Sequence, residues 1–317
     1  MKRTVVIFTF LIFFKITAAN CAVSLNATPD KKSAADNNYA AFVSAINSNE
    51  SIYIPGGTYY ISINGSLVPK TGISIIGDGK DKTKLVFLSP STSPQTVFSI
   101  NNRGVTFDDL SIKVQGSASD NKFIFGIYND GFTINHLEID GNNTSQNSNT
   151  VHAFLFGDNN TENIRILNSD IHNVQRVILR PNNKNGLIKD VTVKGNNIHD
   201  LGMGGVQFNT PTKPANNIII TSNHFHNFNN TGGGEHIFVG TASGKNIMIS
   251  NNTFSGSADN CIHIEENAEN VTIKDNDCNA DAVGVFIQDN DISGTSGHPH
   301  DISIVGNTFT DSSQKKT

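Results

Sequence analysis

Tryptophan is missing from the 317 residues, cysteine occurs three times, and only 16% of the side chains carry charge. Each shortage excludes something. Without indole rings, any aromatic platform for a sugar must be built from Phe or His. Three cysteines cannot supply the framework of bridges that staples small secreted domains. The 23 Lys and Arg are outnumbered by 28 Asp and Glu, giving a net charge near −5, and nowhere do they cluster as phosphate neutralisation requires. Nucleic acid is therefore excluded as a partner, whereas an anionic sugar needs only a local cation. What the chain has in excess is Asn and Gly, which suits a turn-rich β protein better than a helical one.

The one sustained apolar run, Val5 to Phe14, follows Lys2 and Arg3 and precedes small residues at Thr17 and Ala19. That order reads as a secretory signal peptide over 1–19, cleaved after Ala19. Lys15 interrupts the run well short of the ~20 residues a membrane anchor needs. Asn20 disfavours lipid anchoring at Cys21. The mature chain, 20–317, is expected to be secreted or periplasmic, with no membrane partner after cleavage. Oligomeric state leaves no mark on the sequence.

The rest of the chain repeats one phrase. "NIIITSNHFHNF" at Asn217 is preceded by "NIRILNSDIHNV" at Asn163 and "DVTVKGNNIHDL" at Asp190. It is followed by "NIMISNNTFSGS" at Asn246, "NVTIKDNDCNAD" at Asn270 and "DISIVGNTFTDS" at Asp301. Inside each, apolar residues alternate, as in Ile218 and Ile220, the period-two mark of a strand with one buried face. A polar residue recurs at a fixed offset, as Asn196, Asn223, Asn252, Asn276 and Asn307, the first four spaced by 27, 29 and 24 residues. That period is too short for a strand–helix–strand crossover and suits one turn of a β-solenoid. Second alternations, "GVQF" at Gly205, "HIFV" at His236, "CIHI" at Cys261 and "GVFI" at Gly284, supply another strand per turn.

Stacked turns would pile the bend asparagines into a ladder opened by Ser169, each amide bonding the next coil. These asparagines are also expected to take the left-handed backbone region, which Asn tolerates. Alternation points Cys261 outward and Cys278 inward, so no bridge between them is expected. Ahead of the repeats, "ADNNYAAFVSAIN" sets Tyr39, Phe42, Val43 and Ile46 on one stripe behind Asp36 or Asn37 as N-cap. This gives a capping helix over 36–48 that covers the open end of the coils, which run from about 49 to 317 as a single domain. "GDGKDKTK" at Gly77 lacks the spacing and the Gly-Lys-Ser/Thr ending of a phosphate loop and reads as a turn.

An Asp-rich start with "AAFVSAIN", then "YIPGGTYYI", then "GISIIGDG" and "TKL", then coils of N-x-I-x-I-x-x-N-x-F, resembles the pectate-lyase-like family over nearly all of the mature chain. The resemblance implies an all-β, right-handed parallel β-helix with an N-terminal capping α-helix, and a polysaccharide partner. It does not imply one activity, because the family holds lyases, hydrolases, epimerases and non-catalytic members. "SADNCIHIEENAENVTIKDN" is similar to the paired-Asp coil of the polygalacturonase branch, but Asn260 stands where the second Asp belongs and "DAVGVFI" lacks that branch's His-Gly. "GEHIFVGTASG" offers no Lys base, Glu265 stands where the lyase branch has Arg, and the Asp-Pro-His run of the alginate-epimerase branch is absent. No motif assigns a metal or cofactor, and a Ca²⁺ requirement is left open.

Aligning the second strands on Val177, Val206, Ile237, Ile262 and Val285 produces three outward columns, with neighbours ~4.8 Å apart. The first holds Arg176, Gly205, His236, Cys261 and Gly284; the second Ile178, Gln207, Phe238, His263 and Phe286; the third Arg180, Asn209, Gly240, Glu265 and Gln288. Arg176 and His236 would face each other across Gly205, ~10 Å apart, with a sugar ring between them. A uronate lyase or C5-epimerase needs a cation on the carboxylate and a base for the C5 proton. Arg176, or Arg180, suits the first task and His236, or His263, the second. Gln207, Asn209, Phe238 and Phe286 would line the sugar.

Hydrolysis needs two carboxylates ~5–9.5 Å apart, which Glu235 and Asp259 on adjacent coils satisfy. His172, His199 and His226 form a further column; a straight column lacks the convergence a metal requires, so stacking or a sugar-binding rail is expected. The preferred reading is a lyase or C5-epimerase acting on a uronic-acid-containing polysaccharide. The alternatives are a glycoside hydrolase using Glu235 and Asp259, and a non-catalytic glycan-binding or cell-surface adhesin solenoid.

Overall fold

The computed structural model describes residues 23–48, 51–88, 96–115, 122–142, 151–179, 186–209, 214–228, 237–256, 259–280, 283–289 and 298–310. The segment expected to be a signal peptide, 1–19, lies outside them. Each turn of the chain contributes short strands, and equivalent strands of successive turns pair in parallel into sheets of eleven, ten and eight strands. Sheet A runs from Val23–Ser24 to His300–Val305, sheet B from Gly57–Ser62 to Thr308–Thr310, and sheet C from Thr96–Ile100 to Val283–Gln288. The repeated phrase folds into a strand of A and a strand of B; the second alternation becomes the strand of C.

Inward side chains stack from turn to turn because identical periods put like residues in register. In sheet A the line runs Ile134, Ile166, Val193, Ile220, Ile249, and in sheet B Ile139, Ile171, Ile198, Phe225, Phe254. Phe98, Phe125 and Phe154 continue the principle in sheet C, with ring centroids 5.4 and 5.5 Å apart. Fully buried residues of this size each contribute about 1.5–3 kcal/mol through area removed from water.

The helix spans Ala35–Ser48 behind a short 3₁₀ turn at Lys32–Ala34, so Asp36 and Asn37 lie in its first turn and do not cap it. Phe42 and Ile46 enter the core, with Tyr39 and Val43 at its margin. Asn38 fastens the helix to the first coil: its Oδ1 accepts from the Thr28 N–H at 2.7 Å, and its amide donates to the carbonyls of Thr28 and Tyr60. Among the described residues no helix is long and apolar enough to cross a membrane.

The join from A to B is two residues long in turn after turn, as between Leu167 and Asp170 or Thr221 and His224. Its second residue carries the expected ladder. Asn196, Asn223, Asn252 and Asn276 are buried, and each donates through Nδ2 to a carbonyl of the preceding coil and to Oδ1 of the next asparagine, at 2.9–3.0 Å. Ser169 opens the ladder, accepting from the Leu137 N–H through Oγ. The left-handed conformation belongs to the residue before each ladder asparagine and not, as expected, to the asparagine itself. Asn168, Gly195, Ser222, Asn251, Asp275 and Gly306 hold φ between 47° and 69°. A left-handed first residue turns the chain, freeing the second to point its amide along the solenoid axis. The Asx residues that open each phrase, from Asn163 to Asp301, are left-handed too, at φ 54–59°.

Cys261 and Cys278 are both buried and joined in a disulfide, with Cα atoms 6.4 Å apart, against the expectation of opposite orientations. Strict alternation fails where the chain turns the corner from B into C. There Cys261 and Ile262, like Val177 and Ile178, are consecutive core residues, and the first of each pair points into the corner.

Candidate functional site

Sheet C sets the level of every outward side chain, and its register differs from the expected one in two strands. Ile178, not Val177, lies opposite Val206, and Val239, not Ile237, continues that line to Ile262 and Val285. The neighbours of Arg176 are therefore Gly204 and, one strand on, Ile237, so the column Arg176–Gly205–His236 does not form. Gly240, not Phe238, stands between Gln207 and His263, followed by Phe286; Ala242, not Gly240, stands between Asn209 and Glu265, followed by Gln288. The cause is the joins into sheet C, which range from two residues between Leu201 and Gly204 to ten between Asp140 and Val151. His236, Arg180 and Glu235 lie outside the described residues, as do the side chains of Asn209 and Phe238, so neither the Glu235–Asp259 pair nor a base at His236 has a described geometry. Asp259 is exposed just ahead of Asn260–Glu265.

Arg176 is half-buried on the outer face of C. Its Nε donates to Gln207 Oε1 at 3.0 Å, and among the described residues no carboxylate lies within ion-pair distance of it. Burial lowers its pKa, the guanidinium nonetheless staying charged. On its other side, one strand away, sits His152, placed there because Phe154 pairs with Ile178. The His152 ring is 2% exposed and stacks on Phe123 at 4.9 Å, and its Nδ1 has no hydrogen-bond partner. Burial, reinforced by repulsion from Arg176, pushes its pKa down to about 3, so the ring is neutral at physiological pH. Sequence reasoning passed over His152 because "VHAFLF" precedes the first clear repeat; aligning its Phe154 with Ile178 was the available signal. His263 is 1% exposed, packs against Phe286 at 4.9 Å and brings Nε2 to 3.8 Å from Glu265 Oε2. Strands Lys122–Ile127 and Val151–Phe156 are buried on both faces, so the imidazoles of this sheet are covered.

On sheet B the histidine column stacks as expected. His172, His199 and His226 are in register, with centroids 4.9 and 4.8 Å apart and planes within 13°. His199 meets Asp200 Oδ2 through Nδ1 at 2.6 Å and Asp170 Oδ1 through Nε2 at 3.0 Å. The bond to Asp170, opposed by burial and helped by Asp200, raises its pKa and favours the imidazolium. Burial pushes the Asp170 carboxyl up, but hydrogen bonds from His199 and Asn197 prevail and hold it at about 2. Burial, then repulsion from His224 and His199, lowers the His226 pKa. The ring faces cover one another, which leaves ring edges, already hydrogen-bonded to neighbours, toward solvent.

Among the described residues one group, Asp108, Asp109 and His136, brings three ligand atoms within 4.8 Å of each other at the A-to-B bend. An imidazole is a poor partner for Ca²⁺, which takes oxygen ligands.

Residues 22–232 match the family model described as rhamnogalacturonase A/epimerase, pectate lyase-like, and residues 154–315 match that of the right-handed beta helix region. No curated relative matches the chain. Among solved structures, PfbA, a surface adhesin of Streptococcus pneumoniae, is similar at 15% identity with a TM-score of 0.65, over 92% of this chain and 79% of that one. A mannuronan C-5 epimerase A-module of Azotobacter vinelandii aligns at 14% identity and a TM-score of 0.42, over 86% and 95% of the two chains. The catalytic domain of a GH87 alpha-1,3-glucanase aligns at 13% identity and 0.46, over 93% and 66%. At 15% identity the likeness to PfbA is one of fold.

Proposed function

The chain belongs to the rhamnogalacturonase A/epimerase, pectate lyase-like family of right-handed β-helices, and on that premise we propose that it binds and acts on a uronic-acid-containing polysaccharide along the outer face of sheet C. The observation that carries this reading is Arg176, a half-buried guanidinium that no described carboxylate neutralises. Burying a charge is costly unless a counter-charge arrives, and a uronate carboxylate is that counter-charge. Pairing with Arg176 would draw electron density from the carboxylate and acidify the adjacent C5 proton. A neutral imidazole then takes that proton. His236 remains a candidate for this role, joined by His152, whose low pKa would rise once a carboxylate offset the repulsion from Arg176. His263, three strands and three residues from Arg176, about 17 Å, is too far to serve the same sugar. In β-elimination the C5 electron pair forms the C4–C5 double bond, the C4–oxygen bond breaks and the leaving oxygen is protonated; in epimerisation a proton returns to C5 from the opposite face.

A second reading, retention of glycan without turnover, draws support from the covered state of His152 and His263. On either reading the Cys261–Cys278 bridge suits an oxidising, extracytoplasmic compartment. The test is incubation of purified protein with acidic and neutral polysaccharides. A lyase gives an unsaturated product absorbing in the near ultraviolet, and an epimerase inverts C5 in the NMR spectrum. Reducing ends without that absorbance would transfer the assignment to Glu235 and Asp259 as a hydrolase pair. Retention alone would leave a binding solenoid, and failure to hold any acidic glycan would overturn the proposal.

A further inference from the structure

A guanidinium carries its N–H donors on three nitrogens, and a carboxylate can take them along two edges, Nη1 with Nη2 or Nε with Nη2. In Arg176 one edge is already taken. Its Nε–H donates to Gln207 Oε1 at 3.0 Å, and among the described residues the guanidinium makes no other hydrogen bond. Because Nε can only donate, the atom facing it must be the amide oxygen, which turns Gln207 Nε2 toward Gly204.

Gly204 stands beside Arg176 in the register of sheet C, and Gln207, further along the same strand, folds its amide back over it. A Cβ on residue 204 would lie 2.8 Å from Gln207 Nε2 and 2.9 Å from Cδ, so glycine there is what lets the amide reach Nε. The backbone at Gly204 is not left-handed, and the need is therefore for space. Gln207 is 5% exposed, too covered to form a surface of its own for a ligand. The chemistry of the acceptor matters as much as its place. A carboxylate here would also accept from Nε, but it would neutralise the guanidinium; an amide fixes the plane of the group and leaves its charge uncompensated.

We propose that Gln207 is a positioning residue: it holds Arg176 by Nε, so that the Nη1–Nη2 edge is the one presented, and as an uncharged acceptor it keeps that edge charged and open for an anion. That the anion is a uronate carboxylate rests on the reading above; the positioning does not.

Three substitutions test this. Gln207→Met keeps the length and removes the acceptor, Gly204→Ala keeps both partners and displaces the amide, and Gln207→Glu keeps the acceptor and adds a charge. Two readouts need no ligand. In ¹⁵N-labelled protein the Arg176 Nε–H should exchange with solvent about 3- to 10-fold faster in Gln207→Met and Gly204→Ala than in the wild type, the worth of one hydrogen bond. Phenylglyoxal, which condenses across the two Nη atoms, should modify Arg176 in the wild type and fail to do so in Gln207→Glu, as read by peptide mass mapping. Binding is then followed with sodium polygalacturonate. Affinity should fall about 3- to 10-fold in Gln207→Met and Gly204→Ala, and about 10²-fold in Gln207→Glu, with the Tm of Gly204→Ala unchanged. Equal Nε–H exchange in all four proteins, or a Gln207→Glu protein that still reacts with phenylglyoxal and still binds polygalacturonate, would overturn the positioning role. The expected exchange and shielding without any hold on polygalacturonate in the wild type would uphold Gln207 as the holder of Arg176 and overturn the polysaccharide reading instead.

Discussion

Asn223→Ala should be among the most damaging single substitutions in the molecule. The side chain makes four hydrogen bonds while 2% exposed: Nδ2 donates to the Val193 carbonyl and to Asn252 Oδ1, and Oδ1 accepts from the Asn196 N–H and Asn196 Nδ2. Alanine strips the Val193 carbonyl, the Asn196 N–H and one hydrogen of the Asn196 amide; Asn252 Oδ1 keeps the Asn223 N–H at 3.0 Å. Each stranded buried group costs about 1–3 kcal/mol, and because the groups share one network the sum falls short of additive, at about 3–5 kcal/mol. Asn307→Ala removes the same kinds of bond at a half-buried rung that water can reach, and should cost about 1 kcal/mol. Urea denaturation followed by circular dichroism measures the global loss. Because a solenoid can unfold turn by turn, hydrogen exchange at the Asn196 N–H is the sharper local readout, and its protection should collapse in Asn223→Ala alone. Equal losses for the two variants, or an Asn196 amide still protected, would refute the ladder as a stabilising device.

Further outcomes follow from the same coordinates. Replacing Cys261 or Cys278 by Ala should cost about 3 kcal/mol, the loop-closure value for a 17-residue separation, measured as a shift in the denaturation midpoint; the oxidised wild type should yield no free thiol from this pair. His199 has a raised folded pKa, so its contribution is complete below its ordinary value of 6.5 and disappears as pH rises through the folded value. Asp170 has the opposite sign, its contribution being complete above 3.8 and lost as pH falls toward about 2. His199→Gln should therefore lower Tm more at pH 6 than at pH 9, and equal decrements would contradict the assignment. Arg176→Ala should reduce turnover or retention of an acidic polysaccharide by about 10²–10³-fold, the scale for removing one charge-stabilising donor, with Arg176→Lys recovering part because the point charge survives without the fork.

Why the ladder was legible and the sheet C face was not has one physical cause. A two-residue join lets the chain return to the same level in every turn, so the spacing of Asn196, Asn223 and Asn252 in sequence translates directly into stacking, and the same holds for His172, His199 and His226. Joins of two to ten residues into sheet C break that proportionality. A one-residue slip in register moves every side chain of a strand to the other face, which is how Ile178 displaced Val177; a two-residue slip keeps the face but changes the level, which is how Val239 displaced Ile237. The corner geometry that turned Cys261 inward is invisible to any period-two rule, since it depends on where the bend ends rather than on which residues alternate. His152 went unseen for a related reason: the Asn phrase that marks later turns is absent from its own, where Leu110 and Leu137 hold the ladder position just before Ser169. The joins that vary in length are also those that border the face carrying Arg176. Regular bends hold the solenoid to one geometry, which leaves the chain free to change the joins around sheet C without disturbing the core, and that is where a shared fold acquires different ligands.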